Sequence, residues 1–222
     1  MDRDFWQERW EKNELGFHQQ EINASLRAYW PRLGVPRDAT VFVPLCGKSR
    51  DMIWLREQGH RVLGIELISI AVRDFFAENG MTPNVAAQPP FERWEADGIT
   101  IFCGDFFALA PADLADVAVV YDRAALIALP PAMRREYVAK LAAILPRAAE
   151  TLLITVTYPQ EQMPGPPFSV PEHEVRALYA HYFEVVRLHT QDILRKDSPF
   201  RARGLTELTA QVYRVRRAAR PR

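Results

Sequence analysis

Charged side chains follow directly after apolar runs at three places in this sequence, namely at Glu66, at Asp105 and at Asp122-Arg123. Apolar runs of this kind predict buried parallel strands, and an open α/β sheet binds its ligands at the carboxyl ends of such strands. A carboxylate there accepts hydrogen bonds from ribose hydroxyls, and an arginine holds an anion. The pattern therefore indicates a site for a nucleotide-like ligand.

Gly47 lies where the first apolar run meets a helix, a position at which the backbone can approach a ligand and helix N–H groups are unpaired. The dinucleotide pattern G-x-G-x-x-G is absent, since Leu45 and Arg50 stand at its other glycine positions. We therefore predict that Glu66 binds the ribose of an adenosine group rather than a pyrophosphate-containing dinucleotide. The alternative for Glu66 is a surface carboxylate at a strand end.

Asp105 and Phe106 follow the third run, where Asp105 is placed to contact an adenine edge and Phe106 offers an apolar face. Asp105 is also a candidate N-cap for a short helix from Phe106 to Leu109, and the two roles are compatible.

Asp122 and Arg123 carry opposite charges after five apolar residues. Arg123 keeps its charge at any working pH and is suited to hold a carboxylate or an anionic substrate atom. The alternative is an internal Asp122–Arg123 ion pair that only shapes the loop.

Trp6, Trp10, Phe17 and His18 form an aromatic group ahead of the sheet. The simpler interpretation is core packing of an amphipathic helix. The functional one is a flap in which Trp6 and Trp10 cover a flat purine and exclude water. His18 is a possible general base, although a lone histidine is more often structural.

These residues require a doubly wound α/β fold to position them. The sequence predicts a mostly parallel sheet of seven strands, at 40–45, 61–65, 99–104, 117–121, 151–157, 183–190 and 209–216. The predicted helices between them cover 49–58, 69–79, 132–145 and 172–181, with 81–97 as a loop. We expect one Rossmann-like domain over 1–222, with an N-terminal helical flap (1–38) and an α/β core (39–222). The last two strands are expected to be antiparallel.

Composition excludes several classes of protein. The 222 residues hold 28 Lys and Arg against 28 Asp and Glu, so no net field would attract nucleic acid. Two cysteines, Cys46 and Cys103, predict neither a disulfide framework nor a metal site. The charged residues at the N-terminus predict no signal peptide, and the apolar runs are too short to predict a membrane span. We expect a cytoplasmic monomer.

The sequence resembles the thiopurine S-methyltransferases, in a bacterial form. The resemblance rests on segments spread over nearly the whole chain, namely Trp6–Trp10, Gly16–Gln19, Val43–Met52, Tyr121–Leu126 and Pro164–Pro171. It implies the class I methyltransferase fold, with S-adenosyl-L-methionine as cofactor and S-adenosyl-L-homocysteine as its product.

The resemblance also implies roles for individual residues. Cofactor contacts fall on Trp10, Leu45, Glu66, Asp105-Phe106 and Arg123. The acceptor substrate would contact Phe17 and Arg123. A further substrate-side arginine is left open between Arg201 and Arg203.

The implied reaction is in-line methyl transfer to the thiolate of a thiopurine or another aromatic or heterocyclic thiol, with Arg123 as the catalytic residue. Such a thiol is acidic enough to need no strong base, so the protein's task is alignment and desolvation. Two alternatives stay open. In the first, the natural acceptor is a selenium or tellurium compound, and the protein takes part in metalloid detoxification. In the second, the chain is a non-catalytic adenosine-binding module.

Overall fold

The computed structural model describes residues 3–13, 19, 21–196 and 198–218, with backbone only for Pro199. The chain divides into two compact units, the first ending at Val120 and the second beginning at Tyr121. The single-domain organisation expected above stays a prediction, and each unit is described by itself.

The first unit contains helices that alternate with parallel strands. Its helices are α1 (Arg3–Glu11), α2 (Ala24–Tyr29), α3 (Asp51–Glu57) and α4 (Ser69–Glu78). Its strands are β1 (Thr40–Pro44), β2 (Arg61–Glu66), β3 (Asn84–Gln88), β4 (Phe91–Ala96), β5 (Ile99–Cys103) and β6 (Val117–Asp122), the last of which ends in the second unit. Short 3₁₀-helices cover Trp30–Leu33, Phe106–Ala108 and Pro111–Leu114.

The strands of the first unit are ordered β3-β4-β5-β2-β1-β6. The β1–β2, β2–β5 and β1–β6 pairs are parallel. The central strands are apolar because both faces of such a sheet are covered, and Val41 and Phe42 of β1 are fully buried. The carboxyl ends of β1, β2 and β5 consequently lie side by side, which brings Glu66 next to the residues that follow β1 and β5.

The prediction of a loop at 81–97 was wrong. The chain there forms an antiparallel hairpin, in which β3 pairs with β4 and β4 pairs with β5. Every residue of β3 is exposed, so this strand lacks the alternation of apolar and polar residues that marks a half-buried strand. The described residues therefore contain nine strands rather than the seven expected.

The N-terminal residues 23–33 are bound to the rest of the first unit by buried polar contacts. Asn23 caps α2, since its side chain accepts hydrogen bonds from the N–H groups of Ser25 and Leu26. Its own N–H donates to the buried Asp51 carboxylate at 2.8 Å. Trp30 Nε1 donates to His60 Nε2 at 2.9 Å. These contacts fix α2 and the helical turn after it against α3.

The second unit combines antiparallel strands with four helices among its described residues. Its helices are α5 (Ala125–Ala128), α6 (Pro131–Ile144), α7 (Glu172–Tyr179) and α8 (Pro199–Ala202). Its further strands are β7 (Glu150–Thr157), β8 (Phe183–Asp192) and β9 (Thr209–Arg217). β9 pairs with both β7 and β8, and both pairings are antiparallel, which confirms the expected antiparallel strand pair.

The predicted α/β fold with a mostly parallel sheet is confirmed by these elements. None of the helices in the described ranges is long and apolar enough to cross a membrane. Over the same ranges, no group of three or more His, Cys, Asp or Glu residues is arranged to hold a metal ion.

Candidate active site

Glu66 ends β2 with a carboxylate that is buried and held by two backbone groups. Only 8% of the residue is exposed. Its Oε2 accepts a hydrogen bond from the Gly47 N–H and its Oε1 accepts one from the Ile68 N–H, both at 2.9 Å. Burial raises the pKa of Glu66, and backbone hydrogen bonds, foremost those from Ile68 and Gly47, oppose that rise. The surface-carboxylate alternative is thereby excluded for Glu66.

The turn after β1 has an unusual backbone. Leu45 and Gly47 have φ angles of 47° and 52°, in the left-handed region that bulky residues seldom adopt. The sequence predicts an unpaired N–H group at Gly47. In the structure this N–H donates to Glu66. The N–H groups of Met52 and Ile53 are likewise bonded to carbonyls of Ser49 and Arg50. The turn therefore orients Glu66 rather than offering a row of free amides.

Trp10 packs over this turn. A Cβ atom placed on Gly47 would lie 3.5 Å from Cζ2 of the Trp10 ring. Trp10 is 6% exposed and belongs to a cluster with Leu67, Ile68 and Ala71.

Trp6 is partly buried against the same cluster, in an edge-to-face contact with Phe5. The structure thus brings Trp6, Trp10, Gly47 and Glu66 together at the carboxyl ends of β1 and β2. The packing role expected for the tryptophans is present, and a covering role toward a ligand stays a prediction. Phe17 and His18 lie outside the described residues.

Asp105 and Phe106 follow β5, the strand beside β2. Cys103 pairs with Glu66, and the Gly104 N–H donates to the Glu66 carbonyl at 2.8 Å. Asp105 is exposed and caps the helical turn after it, accepting the Phe107 N–H at 3.0 Å, so the predicted capping role is confirmed. The Phe106 side chain is 1% exposed, which leaves little of its ring surface open to a ligand.

Both cysteines lie at this edge of the sheet and are held as neutral thiols. Burial, aided by the negative charge of Glu66, raises the pKa of Cys103 to about 11 and raises the pKa of Cys46 as well. A thiol is nucleophilic only as its thiolate. The two thiols are therefore poor nucleophiles at neutral pH.

Asp122 and Arg123 follow β6 in the second unit, and they do not form the ion pair that was the alternative for them. The fully buried Asp122 carboxylate accepts a hydrogen bond from the Tyr137 hydroxyl at 2.7 Å and one from the Leu126 N–H at 3.3 Å. Burial raises its pKa to about 6. Arg123 is half-buried, and its guanidinium makes no hydrogen bond or ion pair with any residue that the structure describes.

The sequence did not reveal which side chain donates a hydrogen bond to the Asp122 carboxylate. Tyr137 lies 15 positions along the chain, on α6, and only the tertiary structure brings its hydroxyl to the carboxylate. A weak signal existed, because Tyr137 precedes Val138 and Leu141 on the apolar face of a helix, where a hydroxyl needs a buried partner.

The residues at the first unit's sheet edge fit an adenosine-containing cofactor. A carboxylate offers about four acceptor positions, and in the described residues Glu66 uses two of them for backbone donors. Acceptors therefore remain for two ribose hydroxyls. Gly47 adds no side chain at the point where a ligand would approach. This fold, with an acidic residue at the end of the second parallel strand, defines the class of Rossmann-like proteins that bind adenosine-containing ligands.

Solved structures support that class. The chain is similar in fold to the 1,6-didemethyltoxoflavin-N1-methyltransferase of Burkholderia thailandensis, whose structure contains bound 1,6-didemethyltoxoflavin and S-adenosylhomocysteine. The TM-score is 0.65 at 17% sequence identity, over 96% of this chain and 87% of the other.

The sequence identifies the family within the class. The profile of the thiopurine S-methyltransferase (TPMT) family matches residues 1–218. The thiopurine S-methyltransferase of Pseudomonas fluorescens Pf0-1 is 50% identical over 97% of this chain and 99% of its own length. That of Nitrosospira multiformis is 50% identical over 96% and 97%. The chain belongs to the thiopurine S-methyltransferase family and is an S-adenosyl-L-methionine-dependent methyltransferase.

Proposed function

We propose that this methyltransferase acts on thiopurines and other aromatic or heterocyclic thiols, which it binds as thiolates through Arg123. The observation that supports the proposal is that two adjacent residues of opposite charge, Asp122 and Arg123, have different surroundings. Asp122 is buried and bonded to Tyr137 and α5, whereas Arg123 is half-buried and has no partner of opposite charge in the described part of the chain. A partly desolvated guanidinium of this kind favours an anionic ligand.

The proposed cofactor side uses residues of the first unit. Glu66 would bind the ribose hydroxyls, since its carboxylate is fixed by the N–H groups of Gly47 and Ile68. Leu45 and Gly47 would form the floor of the site, and Trp6 and Trp10 its aromatic cover. Asp105 would contact the adenine edge. For Phe106 we propose a backbone contact, because its ring is buried.

The cofactor, when bound, supplies an electrophilic methyl group. The work of Arg123 is to hold the acceptor's sulfur or a ring nitrogen and to favour the ionised thiol, since a nearby cation lowers the pKa of an acid. Phe17 would pack against the acceptor ring. Among the two arginines left open, Arg201 donates to the Leu194 carbonyl at 3.4 Å. Arg203 makes no such bond among the described residues, which favours Arg203 as the further contact.

Steady-state methylation of mercaptopurine by the full-length protein tests this proposal. We expect Arg123→Ala to lower kcat/KM for mercaptopurine by about 100-fold, the size of one lost contact to a charged group. The Kd for S-adenosylhomocysteine should change much less. Arg123→Lys should recover part of the activity, since it restores the charge without the planar fork. Full activity of Arg123→Ala would refute the acceptor role of Arg123.

The same assay distinguishes the alternative acceptors. Selenite and tellurite are anions that a cationic site also attracts, so they are assayed beside mercaptopurine at equal concentration. A higher kcat/KM for either of them would assign the natural acceptor to the selenium and tellurium class, and metalloid detoxification would become the biological role. Binding of S-adenosylhomocysteine without turnover of any acceptor would contradict the proposed reaction.

We also propose that the protein works as a monomer in the cytoplasm. The support for this compartment is that its two cysteines, Cys46 and Cys103, are both free thiols. Sedimentation velocity of the purified protein tests the oligomeric state, and a single species of twice the chain's mass would contradict it.

A further inference from the structure

Two side chains on one face of α6 bind the two ends of the segment 122–129, which contains Arg123. Arg134 and Tyr137 lie three positions apart on this helix and therefore point the same way. The Tyr137 hydroxyl binds Asp122, immediately before Arg123. Arg134 Nε donates to the carbonyl of Leu129, just after α5, at 3.0 Å. The chain from Asp122 to Leu129 is thus fixed at two points by a single helix.

Arg134 is a buried charge with several partners. It is 1% exposed and is the largest of the fully buried side chains. Its Nη1 forms an ion pair with Glu174 of α7 at 2.5 Å and lies 3.5 Å from the Ser169 carbonyl. Burying a guanidinium is costly unless it is paired and hydrogen-bonded. Loss of any of these partners would leave the buried charge less compensated, which is strongly unfavourable.

The same guanidinium contacts the proline-rich loop 163–170. Its Cζ lies 5.7 Å from the ring centroid of Phe168, a cation–π contact. The ring also packs on Gly165, where a Cβ atom would lie 2.5 Å from the Phe168 ring. The Phe168 N–H donates to the carbonyl of Ile127, in α5, at 2.7 Å. Phe168 therefore connects Arg134 with the middle of the segment after Arg123.

Side chains of the 158–160 segment hold the rest of this loop. The Tyr158 hydroxyl donates to the Pro167 carbonyl at 2.5 Å, and the Tyr158 N–H donates to Ser169 Oγ at 3.0 Å. Gln160 accepts the Ser169 N–H at 3.0 Å and donates to the Met163 carbonyl at 2.7 Å. The loop is consequently a fixed body, and Arg134 is the charged side chain that joins it to α5.

From these contacts we infer that Arg134 is a positioning residue for methyl transfer: it holds the Arg123 segment and the proline-rich loop in the arrangement that binds the acceptor. This inference rests on the acceptor role proposed for Arg123. Arg134 itself is enclosed by protein and does not reach the reacting atoms. Its effect on the reaction passes through Leu129, Phe168 and Ser169.

The test substitutes lysine for arginine at two adjacent positions of α6. Arg134→Lys keeps the charge but loses the fork that reaches Leu129, Ser169 and Glu174 together. Arg135→Lys is the matched control, because Arg135 is exposed on the same helix. We expect Arg134→Lys to lower kcat/KM for mercaptopurine by about tenfold, mainly through KM, with the Kd of S-adenosylhomocysteine within about twofold of wild type. Arg135→Lys should leave all three quantities unchanged.

A double variant separates positioning from a general loss of structure. If Arg134 acts through Arg123, adding Arg134→Lys to Arg123→Ala should lower kcat/KM by no more than about twofold beyond Arg123→Ala alone. Multiplication of the two losses would overturn the inference while leaving the role of Arg123 intact. An Arg123→Ala variant as active as wild type would instead overturn the proposed function, and the inference with it.

A milder variant covers the case in which Arg134→Lys does not fold. Glu174→Gln removes the charge that faces Arg134 from α7, where the Glu174 side chain is 27% exposed. The same signature is expected at smaller size, with KM for the acceptor raised about threefold and cofactor affinity kept. An unchanged KM in a folded Glu174→Gln variant, or an equal loss in acceptor and cofactor binding, would contradict the positioning role.

Discussion

The Gly47 N–H donates to Oε2 of Glu66 at 2.9 Å and so joins the carboxyl ends of β1 and β2. Ile68 supplies the second donor to the same carboxylate. A carboxylate held at both oxygens by backbone keeps one orientation before any ligand arrives, which reduces the entropy lost on binding. The glycine turn and the acidic strand end therefore act as one unit.

Replacement of Glu66 by glutamine should weaken cofactor binding. A hydrogen bond to a charged group is worth about 1.5–3 kcal/mol, so Kd for S-adenosylhomocysteine should rise by about 10- to 100-fold. Isothermal titration calorimetry measures this change. Glu57→Gln, an exposed substitution on α3 in the same unit, is the control and should bind as wild type does. Equal affinities of the two variants would remove Glu66 from the cofactor site.

Alanine at Gly47 should reduce both stability and cofactor affinity. Its φ of 52° costs an L-residue about 1–2 kcal/mol, whereas the added Cβ meets Trp10 only at ordinary contact distance. Gly80→Ala is a matched control, since Gly80 has a φ of 66° and no atom would lie within 4 Å of its Cβ. Urea denaturation should show similar losses of stability in both variants. Only Gly47→Ala should raise the Kd for S-adenosylhomocysteine, because of these two glycines only Gly47 donates a hydrogen bond to Glu66.

The stability of the protein should depend on pH through Asp122. Burial raises its pKa from 3.8 to about 6, so the folded state binds this proton more tightly than the unfolded state does. The stabilisation from the protonated form is complete below the unfolded pKa and is lost as pH rises through about 6. The shift of about two units corresponds to about 3 kcal/mol.

Asp122→Asn isolates this effect, because an amide does not titrate. The free energy of unfolding of Asp122→Asn, minus that of wild type, should increase by about 2.5 kcal/mol between about pH 4 and pH 7.5. Urea denaturation at a series of pH values gives both quantities. A difference that stays constant over this range would show that Asp122 titrates alike in the folded and unfolded chain.

The two cysteines should react slowly in the folded protein. The pKa of Cys103 is raised to about 11, against an ordinary value of 9.0, and the pKa of Cys46 is raised as well. The thiolate fraction of Cys103 at pH 8 is thereby reduced about 100-fold, and alkylation by iodoacetamide should slow by at least that factor. Mass spectrometry with time of labelling, in native buffer and in urea, measures both rates. Native labelling as fast as in urea would contradict the burial of these thiols.

The sheet was largely predictable from sequence because its strands are local apolar runs. β1, β2, β5 and β6 each carry enough consecutive buried residues to be recognised without knowledge of their neighbours, and Glu66 and Arg123 could be placed because they end such runs. The β3–β4 hairpin could not be predicted, since its first strand is exposed throughout and is formed by pairing rather than by burial.

The candidate site could be predicted from sequence only for residues whose own type and position at a strand end indicate their role. The partners that decide how Glu66 and Asp122 behave, Ile68 and Tyr137, become identifiable only when the backbone has folded. Arg134 illustrates the limit most clearly. Its sequence neighbour Arg135 is also an arginine, and nothing local tells which of the two is buried.

Leu45 has a strained, left-handed backbone in the turn that follows β1. Glycine adopts a left-handed backbone at little cost in free energy. For leucine the same conformation costs about 1 kcal/mol. Leu45→Gly would relieve this strain but would add a similar amount of conformational entropy to the unfolded chain, so it should change stability little. It would also remove the leucine's side chain from the proposed cofactor floor, so a change at position 45 should be judged by turnover rather than by heat resistance.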